Sequence, residues 1–375
     1  MRPVPWTTLY RAEYINSIDY AANSERNLPG EGGSLPRNRH LWGLMLRVRG
    51  RATMPSSGGP SGLIGPEGIL GLIERVVVEG FYVPQGTNER IVDLRAADLY
   101  WLNTLYLPRV SAPTPDPSSW DFTGGHSNDF QFTLILPFVP LGVSPFEQAR
   151  YLLDAPNYNP LKLTIRWADP ASVFGSYTTA PTLTAYGSSS GNPTCEVTGI
   201  FALGGKDRFA GTLPGRLWRY FQDVTDAART TANGVRIIDL PKGYFLRHII
   251  IKTGRVASGT SSGNTAFSSL GDVLTEINLY RGLNTPVRRW FRQADIRELF
   301  KLAQANAYAD IPSGIAPIDF ALSGALGESF SARNLVAGPS GTVDFYLSGN
   351  VTGYSNGLFT FIYEEIRRLP VGAGR

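Results

Sequence analysis

The sequence predicts an all-β protein built of two tandem β-sandwiches, each carrying one short helix. Three observations predict it. Short stretches alternate apolar and polar residues with period two, as half-buried strands do. Gly (41) and Pro (27) are abundant between those stretches and supply turns rather than long helices. The order of stretches in the first half of the chain recurs in the second.

The chain's 375 residues exceed the reach of one core, which rarely grows past about 250–300 residues. Apolar residues are 42%, enough for two cores, and charged residues only 18%, against a typical value of about 25%. The basic residues are 30 Arg and 5 Lys. The planar guanidinium fork suits contacts between neighbours better than a hydrated ammonium does. A single cysteine, Cys195, excludes an intramolecular disulfide. No stretch reaches the roughly 18 apolar residues of a membrane span. The opening MRPVPWTTLYRAEY lacks a signal-peptide run.

Residues 1–36 read as an extended N-terminal arm with Trp6, Tyr10, Tyr14 and Tyr20, ending in the turn-rich NLPGEGGSLP. Such an arm packs on its own domain or a neighbour, and both sandwiches are expected to fold without it. In LWGLMLRVRGRAT, Leu44, Leu46 and Val48 face one way and Met45, Arg47 and Arg49 the other. ILGLIERVVVEGFYV reads as one or two strands around Gly80. A helix follows, with Leu99, Leu102 and Leu105 at helical spacing and Asp93 as its expected N-cap. FQFTLILPFVPL, PLKLTIRWADP and PTCEVTGIFAL supply the remaining strands.

The repeat is visible by eye. LRVRGRAT matches IIKTGRVA, aligning Gly50 with Gly254. LIERVVVEG matches LTEINLYRG, and RAADLYWLNTL matches RQADIRELFKL. NDFQFTLIL, PLKLTIRWAD and CEVTGIFAL find partners in PIDFALSGAL, GTVDFYLSGN and NGLFTFIYEEI. Partners lie 204 residues apart at Gly50/Gly254 and 197 apart at Asp98/Asp295. Strands are kept while loops shorten. The units span residues 37–203 and 240–366. A linker, 204–239, holds RLWRYFQDVTDAAR at helical spacing, and residues 367–375 form a C-terminal tail.

Six to eight strands per unit fit the eight-stranded jelly roll with its two Greek keys. Two rolls set side by side would cover one another's sheet edges. Two tandem jelly rolls, a helix at matched positions (Ala96–Tyr106 and Ala294–Ala305), an N-terminal arm and long Gly/Pro/Ser loops resemble the double jelly-roll major capsid proteins. These build tailless icosahedral viruses with an internal membrane, of the tectivirus and corticovirus type. The resemblance is architectural and covers nearly the whole chain. It implies a homotrimeric, pseudo-hexagonal capsomer that tiles a virion shell with its rolls upright. It also implies contacts with minor capsid and vertex proteins and with the lipid headgroups of an internal membrane. The longest loops, Ser111–Asp129 and Ala171–Asn192, both fall in the first roll, so a second-roll tower would be short.

The search for catalytic chemistry yields little. His40, His126 and His248 show no metal-ligand spacing. His126 beside Asp129 reads as a loop tip rather than an acid–base pair. Cys195 reads as buried and inert. No nucleophile elbow, phosphate loop or dinucleotide fingerprint is present. The expectation is a non-enzyme without cofactor or metal. Arg288, Arg289, Trp290 and Arg292 read as a surface or interface stripe, with no specific nucleic-acid binding. Trp6, Trp120, Trp218 and Tyr220 are the interface candidates, since aromatics are enriched where subunits meet. Arg2, Arg11, Arg367 and Arg368 are candidates for an inner face near anionic lipid. The alternatives are a receptor-binding spike or minor virion protein, and a carbohydrate-binding or carbohydrate-active jelly roll using acids such as Glu196 or Asp169.

Overall fold

The structure, a computed structural model, describes residues 10–29, 33–64, 67–107, 117–142, 148–149, 151–175, 177–203, 216–226, 235–239, 245–255, 272, 274–281, 285–290, 292–303, 311, 313–320, 345–351 and 357–367.

The first roll contains β1 (Tyr10–Asp19), β2 (Glu25–Asn27), β3 (Leu41–Thr53), β4 (Ile73–Tyr82), β5 (Thr87–Leu94), helix α1 (Ala96–Tyr106), β6 (Ser127–Pro137), β7 (Tyr158–Trp167), β8 (Thr182–Thr184) and β9 (Thr194–Ala202). One sheet runs β1-β9-β3-β6, with β8 added beside β3; the other runs β2-β7-β4-β5. That is the strand order of a jelly roll. Leu44, Leu46 and Val48 of β3 and Leu161, Leu163 and Ile165 of β7 are fully buried in one core, as the alternation predicts. Each such side chain contributes about 1.5–3 kcal/mol by leaving water.

The second roll contains β10 (Arg216–Asp226), β11 (Val235–Asp239), β12 (Phe245–Arg255), β13 (Leu274–Arg281), β14 (Thr285–Trp290), helix α2 (Gln293–Ala303), β15 (Ile315–Asp319), β16 (Phe345–Val351) and β17 (Gly357–Arg367). Its sheets run β10-β17-β12-β15 and β11-β16-β13-β14. Each strand takes the place of its first-roll counterpart, and both helices precede the matching strands β6 and β15. The two rolls share a sheet: β10 lies parallel to β5, pairing Arg219 with Val92 and Tyr220 with Asp93. An eight-stranded sheet therefore runs β15-β12-β17-β10-β5-β4-β7-β2 through both rolls.

Several sequence expectations are corrected. Residues 1–36 are not simply an arm, because β1 and β2 belong to the first roll. β1 pairs with β9 from Tyr10↔Ala202 to Asp19↔Thr194, and Tyr10 and Ile18 sit in the core. The linker's helical spacing is not a helix either. Residues 216–226 form β10, the second roll's counterpart of β1, and 235–239 form β11, the counterpart of β2. Asp93 does not cap α1. It is still in β5, where it accepts hydrogen bonds from Arg75, one of them 2.6 Å from Nη2; Arg95 occupies the cap position.

The Gly50/Gly254 match is one residue out of register. Phe138 N–H donates to Trp42 O at 2.8 Å, and Phe320 N–H to Arg247 O at 2.9 Å. Superposing these ladders puts Met45 on Ile250 and Arg47 on Lys252. Inward residues then match inward ones, Leu44 and Leu46 against Ile249 and Ile251. A slip of one residue would exchange the faces of the strand.

The integrated β1 gives a direct test. A chain beginning at residue 20 loses two buried side chains worth together about 3–6 kcal/mol, plus the ladder to β9. Its thermal midpoint should fall sharply, or the first roll should fail to fold. An unchanged midpoint would contradict the assignment of β1 to the roll.

Candidate functional site

The most chemically distinctive region is the junction between the rolls. The second roll's sheet β10-β17-β12-β15 has two buried faces. Ile249, Ile251, Phe359, Phe361 and Tyr363 point into its own core. Ile250 and Ile362 point the other way and join the first roll's core. Helix α1 is held against that second face by its ends: Asp98 accepts from Lys252 of β12 at 2.8 Å, and Tyr106 stacks on His248 with ring centroids 4.9 Å apart.

Two charged groups are sealed in this junction. Lys252, 0% exposed, donates to Asp98 Oδ1 and, at 2.7 Å, to Glu67 Oε1. Trp101 Nε1–H donates to the same Glu67 oxygen at 3.1 Å. Burial works against the Lys252 ammonium, but Asp98 and Glu67 outweigh it and hold its pKa above the ordinary value. Removing one partner from such a buried set typically costs about 3–5 kcal/mol, because the others stay behind unpaired.

The second group centres on Glu364 of β17. Arg219 of β10 donates from Nε to Glu364 Oε2 at 2.8 Å and reaches into the first roll, where Nη1 and Nη2 donate to Pro137 O and, at 2.8 Å, Val139 O. Arg247 donates to Glu364 Oε1 at 2.8 Å. A bulge between Leu246 and His248 turns the side chains of Arg247 and His248 toward the same face. Tyr106 donates its hydroxyl to Asp319 of β15 at 3.0 Å. Burial raises the Glu364 carboxyl, but Arg219, His248 and Arg247 outweigh it and bring it down to about 2. Burial pushes His248 down to about 4, against the pull of Glu364, so the imidazole is neutral near neutrality. At the rim, Arg95 donates to Asp223 of β10 and lies 4.3 Å from the Phe221 ring centroid.

The sequence-derived candidates fall in different places. Trp218 and Tyr220 come together on β10 beside β17. Tyr220 donates its hydroxyl to Glu365 and stacks on Tyr363 at 5.0 Å, and Arg367 lies over the Trp218 ring at 3.3 Å. Arg367, read as a lipid contact, is therefore engaged by Trp218 and by Glu365 at 3.2 Å. Trp120, read as an interface residue, is buried in the first roll's core against Phe122, Phe130 and Phe174. The described part of its loop, 117–126, thus carries Trp120 into the sandwich. Arg11 is exposed on β1, 3.2 Å from Glu13. Trp6, Arg2 and Arg368 lie outside the described residues.

The residues weighed for catalysis do structural work. His126 is exposed and 3.3 Å from Asp121, while Asp129 is held by Arg51 at 2.7 and 2.9 Å. Glu196 accepts from Arg49. Asp169 accepts from Ala171 N–H at 2.9 Å and from Asn23 at 3.0 Å. Burial raises the Cys195 thiol. His40 sits 3.4 Å from Asp154. Arg288, Arg289 and Trp290 belong to β14, which ends its sheet among the described strands. No described helix is long and apolar enough to cross a membrane. Sequence reasoning missed Arg219, Arg247, Lys252 and Glu364; the sign available was charge interrupting otherwise apolar strands.

No protein-family model and no curated protein sequence matches the chain. Solved structures do. The STIV MCP shares the fold with a TM-score of 0.65 at 12% identity, over 95% of this chain and 96% of that one. The major capsid protein P2 from bacteriophage PM2 gives 0.58 at 13% identity, over 97% and 100%. The PBCV-1 virus capsid gives 0.51 at 13% identity, over 98% and 97%.

The junction makes stability depend on pH. The folded pKa of His248, about 4, lies below its ordinary 6.5. The unfolded chain therefore takes up this proton first, and the stability it contributes is complete above pH 6.5 and is lost between 6.5 and 4. Glu364 continues the loss from its ordinary 4.5 down to about 2. Urea unfolding across this range should show stability falling with acid, and His248→Gln should flatten the upper part. An unchanged slope in that variant would contradict a neutral buried His248.

Proposed function

We propose that this chain, a double jelly roll by its strand order, is a major capsid protein whose homotrimers form the pseudo-hexagonal units of an icosahedral virion shell. The observation that carries the reading is end-to-end coverage: at least 95% of this chain and 96% of the matched chain superpose on capsid proteins of two viruses. Fold alone does not fix function, so the chemistry has to agree, and it does. Buried Lys252, Arg219 and Asp319 each bond to a group of the first roll, so these polar groups join the two rolls. A fused pair of rolls is a stiff tile, which a shell needs more than a cleft.

The reading is of a structural protein without enzymatic activity. Each roll also gathers its ends: Tyr10 at the start of β1 pairs with Ala202 at the end of β9, and Arg216 with Arg367. Terminal segments thus leave from the β1/β9 and β10/β17 ends of the rolls. The segments carrying Arg2, Arg11 and Arg368 would meet anionic headgroups from there, each contributing about 1 kcal/mol near such a surface. Minor capsid and vertex proteins are the further partners.

Light scattering on the purified chain tests the assembly unit. A species of three chains that survives dilution is expected, since obligate interfaces bury about 2,000–5,000 Å². In particles, the chain should be the dominant protein. A chain that is a faint component of particles would favour a spike instead.

A further inference from the structure

The two helices differ in what covers their outward side. On α1 that side is Arg95, Asp98, Trp101, Leu102 and Leu105. Asp98 and Leu102 are 0% exposed and Leu105 6%, and the second roll engages this side through Lys252 on Asp98 and through Asp223 and Thr360 on Arg95. On α2 the positions 197 residues on are Arg292, Asp295, Glu298, Leu299 and Leu302, and all are exposed. Leu299 is 52% and Leu302 80% exposed. The other side of α2 is buried, Gln293 and Ile296 within the second roll and Phe300 edge-on against Tyr106 of α1 with ring centroids 5.6 Å apart.

The surface that α1 meets has an open twin as well. In the second roll the row Phe221–Ile362–Ile250 crosses the sheet at the junction. In the register set by the two ladders, the first roll's matching row is Tyr14–Thr198–Met45–Ile135. Met45 points to the side opposite the core residues Leu44 and Leu46 and is half-buried, Tyr14 is 63% exposed, and Ile135 is half-buried against the first core at the row's end. Lys252, the residue that Asp98 holds, has Arg47 as its counterpart. Arg47 gives one donor to Gln131 at 3.0 Å, and a guanidinium has five. The edges match too. β5 is covered by β10, whereas their counterparts β14 and β1 both end their sheets among the described strands.

We infer that α2 and β14 of one copy dock on the outer face and β1 edge of the first roll of a second copy, repeating between chains the junction already made within the chain. Leu299 and Leu302 cover the Tyr14–Met45–Ile135 row, and Asp295 pairs with Arg47. Asp295 on the outward side of α2 carries the charge complementary to Arg47, whereas Arg49 and Arg51 on the same face are already paired with Glu196 and Asp129. The contact is head-to-tail and propagates until its rotation closes a ring. The number of copies in that ring, three, rests on the capsomer reading.

The test uses the full-length chain and its mass measured over a dilution series. Leu302→Glu should give a chain that is folded, with the wild-type far-ultraviolet circular dichroism spectrum, but does not assemble. Asp295→Arg and Arg47→Asp should each weaken assembly about tenfold or more, and the two together in one chain should restore it. Wild-type assembly in all three single variants would overturn this contact and leave the capsomer reading standing. Weakening by both charge variants without rescue by their combination would overturn the Asp295–Arg47 pairing. A wild-type chain that stays monomeric at every concentration would overturn both the contact and the capsomer.

Discussion

One sheet with two buried faces organises this molecule. The β10-β17-β12-β15 sheet serves as a wall of the second roll's core and as the surface on which the first roll rests. A half-buried sheet alternates in sequence; one covered on both sides becomes continuously apolar. The contrast is visible between counterparts. β3 reads Leu44-Met45-Leu46-Arg47-Val48-Arg49, while β12 reads Ile249-Ile250-Ile251 before Lys252. The polar groups that remain on the second face are paired across the junction, so the contact is specific in register as well as apolar. Phe221, Ile250 and Ile362 supply area, and Lys252, Arg219 and Glu364 fix position through directed bonds.

The same constraint explains what could be read from the sequence. Period-two strands such as β3 and β7, and the second-roll helix α2, were legible because each has a face in water to set its pattern, whereas α1, buried nearly all round, was legible through its leucine spacing and its match to α2. β10 was misread as helical for the opposite reason. Leu217, Tyr220, Phe221 and Val224 have the spacing of a helix face, yet Phe221 serves the first roll's core while Tyr220 and Val224 serve the second's. A strand apolar on both sides loses its alternation and can imitate the helical period. β1 was hidden differently: it is an edge strand with a register shift between Tyr14 and Asn16, so few of its side chains are buried. The Gly-Arg matches marked corresponding strands correctly but were blind to a one-residue slip, which only the hydrogen-bond ladders reveal.

The site was less legible than the fold. Lone aromatics in loops and linkers suggested contact points, but Trp120 turned out to fill a core and Tyr220 to lie inside the second roll. Charges within apolar strands were the better guide. A buried Arg, Lys or Glu persists only with partners; Arg219, Arg247 and Glu364 hold one another within the second roll, and the other roll supplies Asp98 and Glu67 to Lys252 and the carbonyls of Pro137 and Val139 to Arg219. The junction therefore joins the two rolls into one unit rather than leaving two domains on a tether.

Differential scanning calorimetry of the dispersed chain tests this coupling most directly. A shared sheet and a sealed ionic junction predict one cooperative transition, with calorimetric and van't Hoff enthalpies that agree. Two separate transitions, one for each roll, would show that the junction does not couple them and would contradict the account.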